Sequence, residues 1–192
     1  MQKIKKITHS IALFIKEIIA NPAEVGAVAP SSKYLGKKMV QQIPYKENSL
    51  VVELGAGTGA ITKMLLNTDI PKKNIVILER SFALGKYLKK HFPDVHVIVG
   101  DATNLQDLLK CYKMPVCAIV SGLPLRSLPK DVVLDIEKAA QNVLSKDGVF
   151  IQFTYDIRKN APSQLPEFQW LRSHYVFRNI PPAKVDVFTT RQ

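Results

Sequence analysis

From Val51 to Thr62 the chain reads VVELGAGTGAIT, which sets a carboxylate, Glu53, two residues ahead of glycines at 55, 57 and 59. Glycines at that spacing let a backbone turn sharply out of a strand into a helix, and they let a ligand approach where a Cβ would otherwise stand. Two more carboxylates close apolar runs: Glu79 after NIVIL, with Arg80 beside it, and Asp101 after HVIVG, with Ala102 next. A carboxylate at the end of a second strand accepts both hydroxyls of a ribose. One at the end of a third strand can cap the helix that follows, a task Asn104 can share. The chemistry on offer is recognition of a ribose-bearing ligand.

The elements that must position these groups are legible from periodicity. Short β-branched runs at LVVEL (50–54), NIVILE (74–79), VHVIVG (95–100), VCAIVS (116–121) and GVFIQFTY (148–155) read as strands. Between them AITKMLL, FALGKYLKKHF, LQDLLKCY and DVVLDIEKAAQNVLS carry helical spacing. Strands alternating with helices predict an α/β fold, a parallel sheet covered on both faces. HYVFRNI and AKVDVFTT flank Pro181-Pro182 and predict a closing antiparallel hairpin. The expectation is a Rossmann-like, mostly parallel seven-stranded sheet, the architecture of class I methyltransferases.

That expectation frames a choice of cofactor. GAGTGA also fits the G-x-G-x-x-A turn of dinucleotide sites, and a ribose-binding Glu79 serves NAD and S-adenosylmethionine alike. Asp101 followed by Ala102 matches the methyltransferase position for the adenine amino group. With Glu53, the three glycines and Glu79 in order, it favours S-adenosylmethionine.

Composition bounds the rest. At 192 residues and 46% hydrophobic, the chain suits one soluble globular domain, and no apolar run approaches the roughly 18 residues of a membrane span. A formal charge of +11 calls for an anionic partner: nucleic acid, an acidic membrane surface or a phosphorylated ligand. Cys111 and Cys117, and His9, His91, His96 and His174, show no metal-ligand spacing. No metal or disulfide is expected. At the N-terminus Ile4, Ile7, Ile11, Phe14, Ile15 and Ile18 form one helical stripe, with Lys3, Lys5, Lys6, His9, Lys16 and Glu17 opposite and Leu13 out of pattern. Such a helix either packs on the domain or lies in an anionic lipid interface. Lys16 and Glu17 break the apolar run and no small-residue cleavage site follows, so a secretory signal is not expected. The predicted organisation is a membrane-binding amphipathic helix over 1–20 and a methyltransferase domain over 21–192, cytoplasmic and peripheral to the inner face of the cell membrane.

The stretch IVSGLPLRSLP (119–129) stands where many amino methyltransferases carry Asn-Pro-Pro-Tyr or Asn-Leu-Pro-Tyr. Here Gly122 takes the Asn position and Leu125 the Tyr position, which removes both an amide acceptor and a stacking face. Together with NPAEVGAVAPSSKYL, VVELGAGTGAIT, VGDATNL, FTY and RNIPPAKVDVF, over about residues 20–190, the chain resembles the soluble bacterial phospholipid N-methyltransferases. That family is similar in its core to the ribosomal RNA adenine dimethyltransferases. The resemblance implies stepwise methyl transfer from S-adenosylmethionine to the amine of phosphatidylethanolamine, giving monomethyl and dimethyl products and, in some members, phosphatidylcholine.

The residues suit that chemistry. Gly122, Leu123 and Pro124 make a small apolar opening fit for an aliphatic amine, with Ser121 offering a hydroxyl that belongs to either the amine or the cofactor. Tyr155, and after it Tyr34, are the candidate polar neighbours for the amine proton, unless both are simple packing. Arg178 and Arg126 are candidate phosphate clamps, since guanidinium binds phosphate through paired donors. Ser31 or Ser32 can cap the helix running toward Val40, over the methionine end of the cofactor. Two rivals stand beside this reading. An RNA adenine dimethyltransferase fits the charge, but not the missing Asn and Tyr, nor a chain closing on its hairpin without the helical domain those enzymes append. A non-catalytic module would bind the ligand or lipid and yield no product. Trp170 is open between core and interface, and so is the oligomeric state.

Overall fold

In the computed structural model, residues 32–158 and 165–191 are described. Ser31 and the proposed 1–20 helix lie outside them. In chain order the elements are α1 (Lys33–Val40), β1 (Leu50–Leu54), α2 (Ala60–Leu65), β2 (Ile75–Glu79), α3 (Phe82–His91), β3 (His96–Val99), α4 (Leu105–Leu108), β4 (Val116–Ser121), α5 (Lys130–Val143), β5 (Leu144–Thr154), β6 (Phe168–Val176) and β7 (Ala183–Thr190).

The strands form one seven-stranded sheet in the order β3-β2-β1-β4-β5-β7-β6. The first five are parallel, and β7 runs antiparallel to both β5 and β6. Every residue of β1, β2 and β4 is buried, which explains why these strands read as unbroken apolar runs: helices cover both of their faces. On one face α1, α2 and α3 deliver Leu35, Met39, Ile61, Leu65 and Leu88 onto Val51, Ile77 and Val120. On the other, Leu105 of α4 and Val133, Ile136 and Ala140 of α5 meet Leu54, Leu78, Ile119 and Phe150.

Three boundaries depart from the sequence reading. The sixth strand spans Phe168–Val176, earlier than HYVFRNI suggested, and Phe177–Pro182 is the turn. β6 is the edge strand, with mostly exposed side chains, so it lacks the apolar alternation that marks its neighbours. LQDLLKCY keeps its helical packing through Leu105 and Leu109, yet its helix ends at Leu108. Finally, β5 begins at Leu144 directly after α5 and bulges, with Leu144 opposite Val116 and then Val149 opposite Ala118.

Parallel order brings the C-terminal ends of β1 to β5 to one rim. Since β7 runs against β5, the β6–β7 turn stands on that rim too. Every carboxylate and glycine singled out for ligand binding lies there.

Candidate functional site

The glycine turn leaves β1 with Gly55, Gly57 and Gly59 all in the left-handed region, at φ of 70°, 57° and 84°. A Cβ on Gly57 would meet nothing within 4 Å. Its φ is what the turn demands, and the space beside it is room for a ligand. Glu79 fixes the turn from the next strand: its Oε2 accepts from Gly57 N at 2.9 Å and its Oε1 from Ser81 N at 2.8 Å. A carboxylate has about four lone-pair sites, so these two bonds orient Glu79 while leaving acceptors for a ribose diol.

Glu53 is fully buried on the α2 side of β1. Its Oε2 accepts from Thr62 Oγ1 at 2.7 Å, whereas Oε1 is buried without a hydrogen-bond partner. Burial pushes its carboxyl up to about 7, against the opposing pull of the Thr62 bond. A buried carboxylate oxygen aimed at no donor fits a cationic ligand group such as the α-ammonium of S-adenosylmethionine. Together with the Cβ-sized space at Gly57, it shows that the residues present suit that cofactor.

Asp101 performs the capping task. Its Oδ1 caps the 3₁₀ turn Ala102–Asn104 by accepting from Thr103 N and Oγ1, each at 3.0 Å, and its Oδ2 lies 3.3 Å from Arg80 Nε. The cap holds the carboxylate at the rim, and Ala102 is buried behind it.

The amine side centres on Gly122. Its N–H donates to Leu54 O at 2.8 Å, and a Cβ there would stand 2.7 Å from the carbonyl oxygen of Gly55. Glycine at 122 is therefore dictated by packing against the cofactor turn, and no side-chain amide fits there. Leu125 is buried in the α5-side core and presents no stacking face to the rim. Ser121 is fully buried, and its hydroxyl accepts from Leu123 N at 3.2 Å, tying the turn together.

Gln152 was missed in the sequence. It lies opposite Ser121 across the β4–β5 pairing, 1% exposed. Its Nε2 donates to Leu123 O and Phe153 O, both at 3.0 Å, and its Oε1 is buried without a partner. A side-chain amide thus reaches the Gly122–Pro124 turn from the neighbouring strand. Only the register of β5 against β4 reveals it; in sequence Gln152 is one polar residue inside an apolar run. Thr62 and Asn179 were likewise overlooked.

The remaining candidates spread around the rim. Tyr155 packs against the α1-side core, edge-on to Phe153 at 5.5 Å between ring centroids. Burial pushes its phenol up, an effect that the Asn179 side chain partly opposes. Tyr34 is partly exposed at the start of α1, with the guanidinium of Arg178 5.7 Å from its ring centroid. No hydrogen bond or ring contact among the described residues joins Tyr155, Ser121 and Tyr34 into one cluster. Arg126 lies 3.0 Å from Asp156, whose carboxyl is held well below its usual range, chiefly by the hydrogen-bonded Arg158. Pro124 is exposed. Ser32 caps α1 by accepting from Leu35 N at 3.3 Å. Trp170 is 57% exposed on β6, which excludes a core role. Among the described residues no group of His, Cys, Asp and Glu could hold a metal, both cysteines are free, and no helix is long and apolar enough to cross a membrane. An open groove of about 660 Å³ lined by Phe168, Trp170 and Arg191 lies at the opposite edge of the sheet, away from every glycine and carboxylate of the rim.

An ornithine lipid N-methyltransferase of Singulisphaera acidiphila is 30% identical over 187 residues, covering 89% of this chain and 91% of that protein. The ribosomal RNA small subunit methyltransferase A of Malacoplasma penetrans is 30% identical over 104 residues, covering 54% of this chain and 36% of the relative. Among solved structures, a TehB-like SAM-dependent methyltransferase from Corynebacterium glutamicum superposes with a TM-score of 0.62 at 15% identity, over 95% of this chain and 97% of its own. TrmN from Thermus thermophilus gives 0.66 at 16% identity, over 86% of this chain and 51% of that one. These likenesses show the fold. No family model matches the chain.

Proposed function

Because the chain belongs to the class I S-adenosylmethionine-dependent lipid N-methyltransferases, we propose that it methylates the primary amine of a membrane-lipid head group, phosphatidylethanolamine first among them, at an anionic membrane surface. The observation that carries the substrate reading is Gly122. Packing against Gly55 O forbids any side chain there, so the Asn that holds a planar nucleobase amine has no place in this backbone. An aliphatic amine needs neither that amide nor a stacking ring.

When bound, S-adenosylmethionine supplies a methyl group already activated on a sulfonium, so the task left to the protein is to orient a neutral amine and let its proton go. Glu53, the Gly55–Gly59 turn, Glu79, Arg80, Asp101 and Ala102 would hold the cofactor. The Gly122–Pro124 turn, pinned by Ser121 and Gln152, forms the wall against which the amine sits. Tyr155 serves as a neutral hydrogen-bonding group, since its raised phenol stays protonated near neutrality. Arg178 offers paired donors to the lipid's anionic group.

A second substrate, ornithine lipid, is favoured by the name of the Singulisphaera relative. It too presents an aliphatic amine. Incubating the protein with labelled S-adenosylmethionine and vesicles of phosphatidylethanolamine, vesicles of ornithine lipid, or bulk RNA separates the readings. Label confined to RNA would sink the proposal, and cofactor binding without any methylated product would support the non-catalytic module. Peripheral attachment through residues 1–20 is tested by deleting them: binding to anionic vesicles as tight as that of the full chain rejects it.

A further inference from the structure

The turn between β6 and β7 carries an unusual load. Phe177 is 71% exposed and Ile180 85%, the two most exposed large apolar side chains among the described residues. Tyr175 stacks on Phe177 at 5.9 Å with the rings 8° from parallel, and Tyr34 and Ile157 are partly exposed on the same rim. The turn is held firmly. Asn179 is 2% exposed; its N–H donates to Val176 O at 3.3 Å, its Nδ2 to Pro181 O at 2.7 Å, and its Oδ1 accepts from Ser32 N at 3.2 Å. A braced turn that points two large apolar residues outward is not explained by packing, because neither belongs to a core.

The charges on the hairpin tip and on α1 are of one sign. From Phe168 to Val185 the sequence holds no Asp or Glu, and α1 carries Lys33, Lys37 and Lys38 and no carboxylate. Arg178 and Lys33 flank Tyr34. Exposed aromatic and aliphatic groups flanked by the cations of the turn and of α1 fit the interface of an anionic bilayer. A soluble apolar ligand gives no reason for the cations, and a nucleic acid none for Ile180.

We infer that the β6–β7 turn is a membrane-docking tip, with Phe177 and Ile180 entering the acyl boundary and Arg178 and Lys33 meeting lipid phosphates. It rests on the lipid reading above and adds a partner surface to the same site. The tip stands on the rim that carries the glycine turn and the Gly122 wall, so docking there turns the cofactor's side of the sheet toward the bilayer. A head-group amine then reaches the site without leaving the membrane.

The test uses the full chain and equimolar phosphatidylglycerol–phosphatidylcholine vesicles, which contain no amine substrate. The Phe177→Ser/Ile180→Ser variant should bind them roughly 10- to 100-fold more weakly than wild type, from the loss of two apolar side chains at the interface. Its melting temperature and its affinity for S-adenosylmethionine should match wild type. Binding within about twofold of wild type, or failure of wild type to bind, overturns the proposal. A Phe177→Trp substitution in a Trp170→Phe background gives an independent readout. Emission should shift to the blue on adding vesicles; emission already blue and unmoved by lipid would mean that residues 1–31 cover the tip, and would also overturn it. If the tip docks but no lipid amine is labelled, the substrate reading fails and the surface stands. If lipid is labelled yet the double variant binds normally, the reverse holds.

Discussion

Replacing Glu53 with Gln tests the cofactor end of the site in a way that binding affinity alone does not. The carboxyl is fully buried and pushed from 4.5 to about 7 by burial, with one oxygen on Thr62 and the other unpartnered. A cationic ammonium placed against that free oxygen favours the ionised form, so binding should expel a proton. At a pKa of about 7, the ionised fraction falls about tenfold for each pH unit below that value. Affinity for S-adenosylmethionine should therefore weaken roughly twentyfold between pH 7.5 and pH 5.5. Calorimetric titration in two buffers of different ionisation enthalpy counts the proton directly, close to one per site at pH 6. Glu53→Gln keeps an acceptor for Thr62, removes the titration, and should flatten the pH profile at a weaker affinity. Wild-type affinity independent of pH, or an unchanged slope in Glu53→Gln, would refute the assignment. Stability follows the same linkage: the native state binds the proton more tightly than the unfolded chain, so stability is greatest below about pH 4.5 as far as this group is concerned. It is lost as pH rises toward 7, by at most on the order of 3 kcal/mol.

Glu79→Ala and Asp101→Ala should each weaken S-adenosylmethionine binding by calorimetry. Glu79→Ala should also cost about 1–3 kcal/mol in denaturant unfolding, because Gly57 N and Ser81 N lose their acceptor. Gln152→Leu frees the Leu123 carbonyl and is expected to lower kcat while cofactor affinity holds; unchanged turnover would reduce Gln152 to packing. Gly122→Asn, which rebuilds the adenine clamp on paper, should destabilise the fold by about 1–3 kcal/mol through the clash with Gly55 O and confer no RNA methylation. Glu137 is a buried carboxylate at the back of α5, pushed up to about 7 by burial, that accepts from Glu167 N. Glu137→Gln should raise the melting temperature at pH 8, a gain on the order of 1 kcal/mol, and leave it unchanged near pH 5.

Much of this was legible in the sequence because its causes are local. LVVEL and VCAIVS are central strands buried on both faces, so their runs are apolar throughout and their limits were read to the residue. The glycine turn and its three carboxylates announce themselves by spacing. What stayed hidden depends on contacts made far along the chain. β6 is an edge strand stabilised by β7, and its exposed polar residues carry no period. Gln152 matters only because β5 sets it opposite Ser121. Asn179 looked like one more turn residue, yet it fastens the hairpin to Ser32 across 147 positions. Tyr155 stands at a strand end, and that position does not reveal that its half-buried ring also packs against the α1-side core.

Strand order has one more consequence. Had β6 paired directly with β5 as the next antiparallel strand, its link to β7 would have emerged at the opposite edge. Because β7 is slotted between them, chain direction delivers an additional loop to the working edge of the enzyme. That loop hangs outside both cores, so Phe177 and Ile180 can be exchanged for other side chains with little cost to folding. The architecture thereby leaves what the loop presents free to vary while the rest of the rim stays as it is.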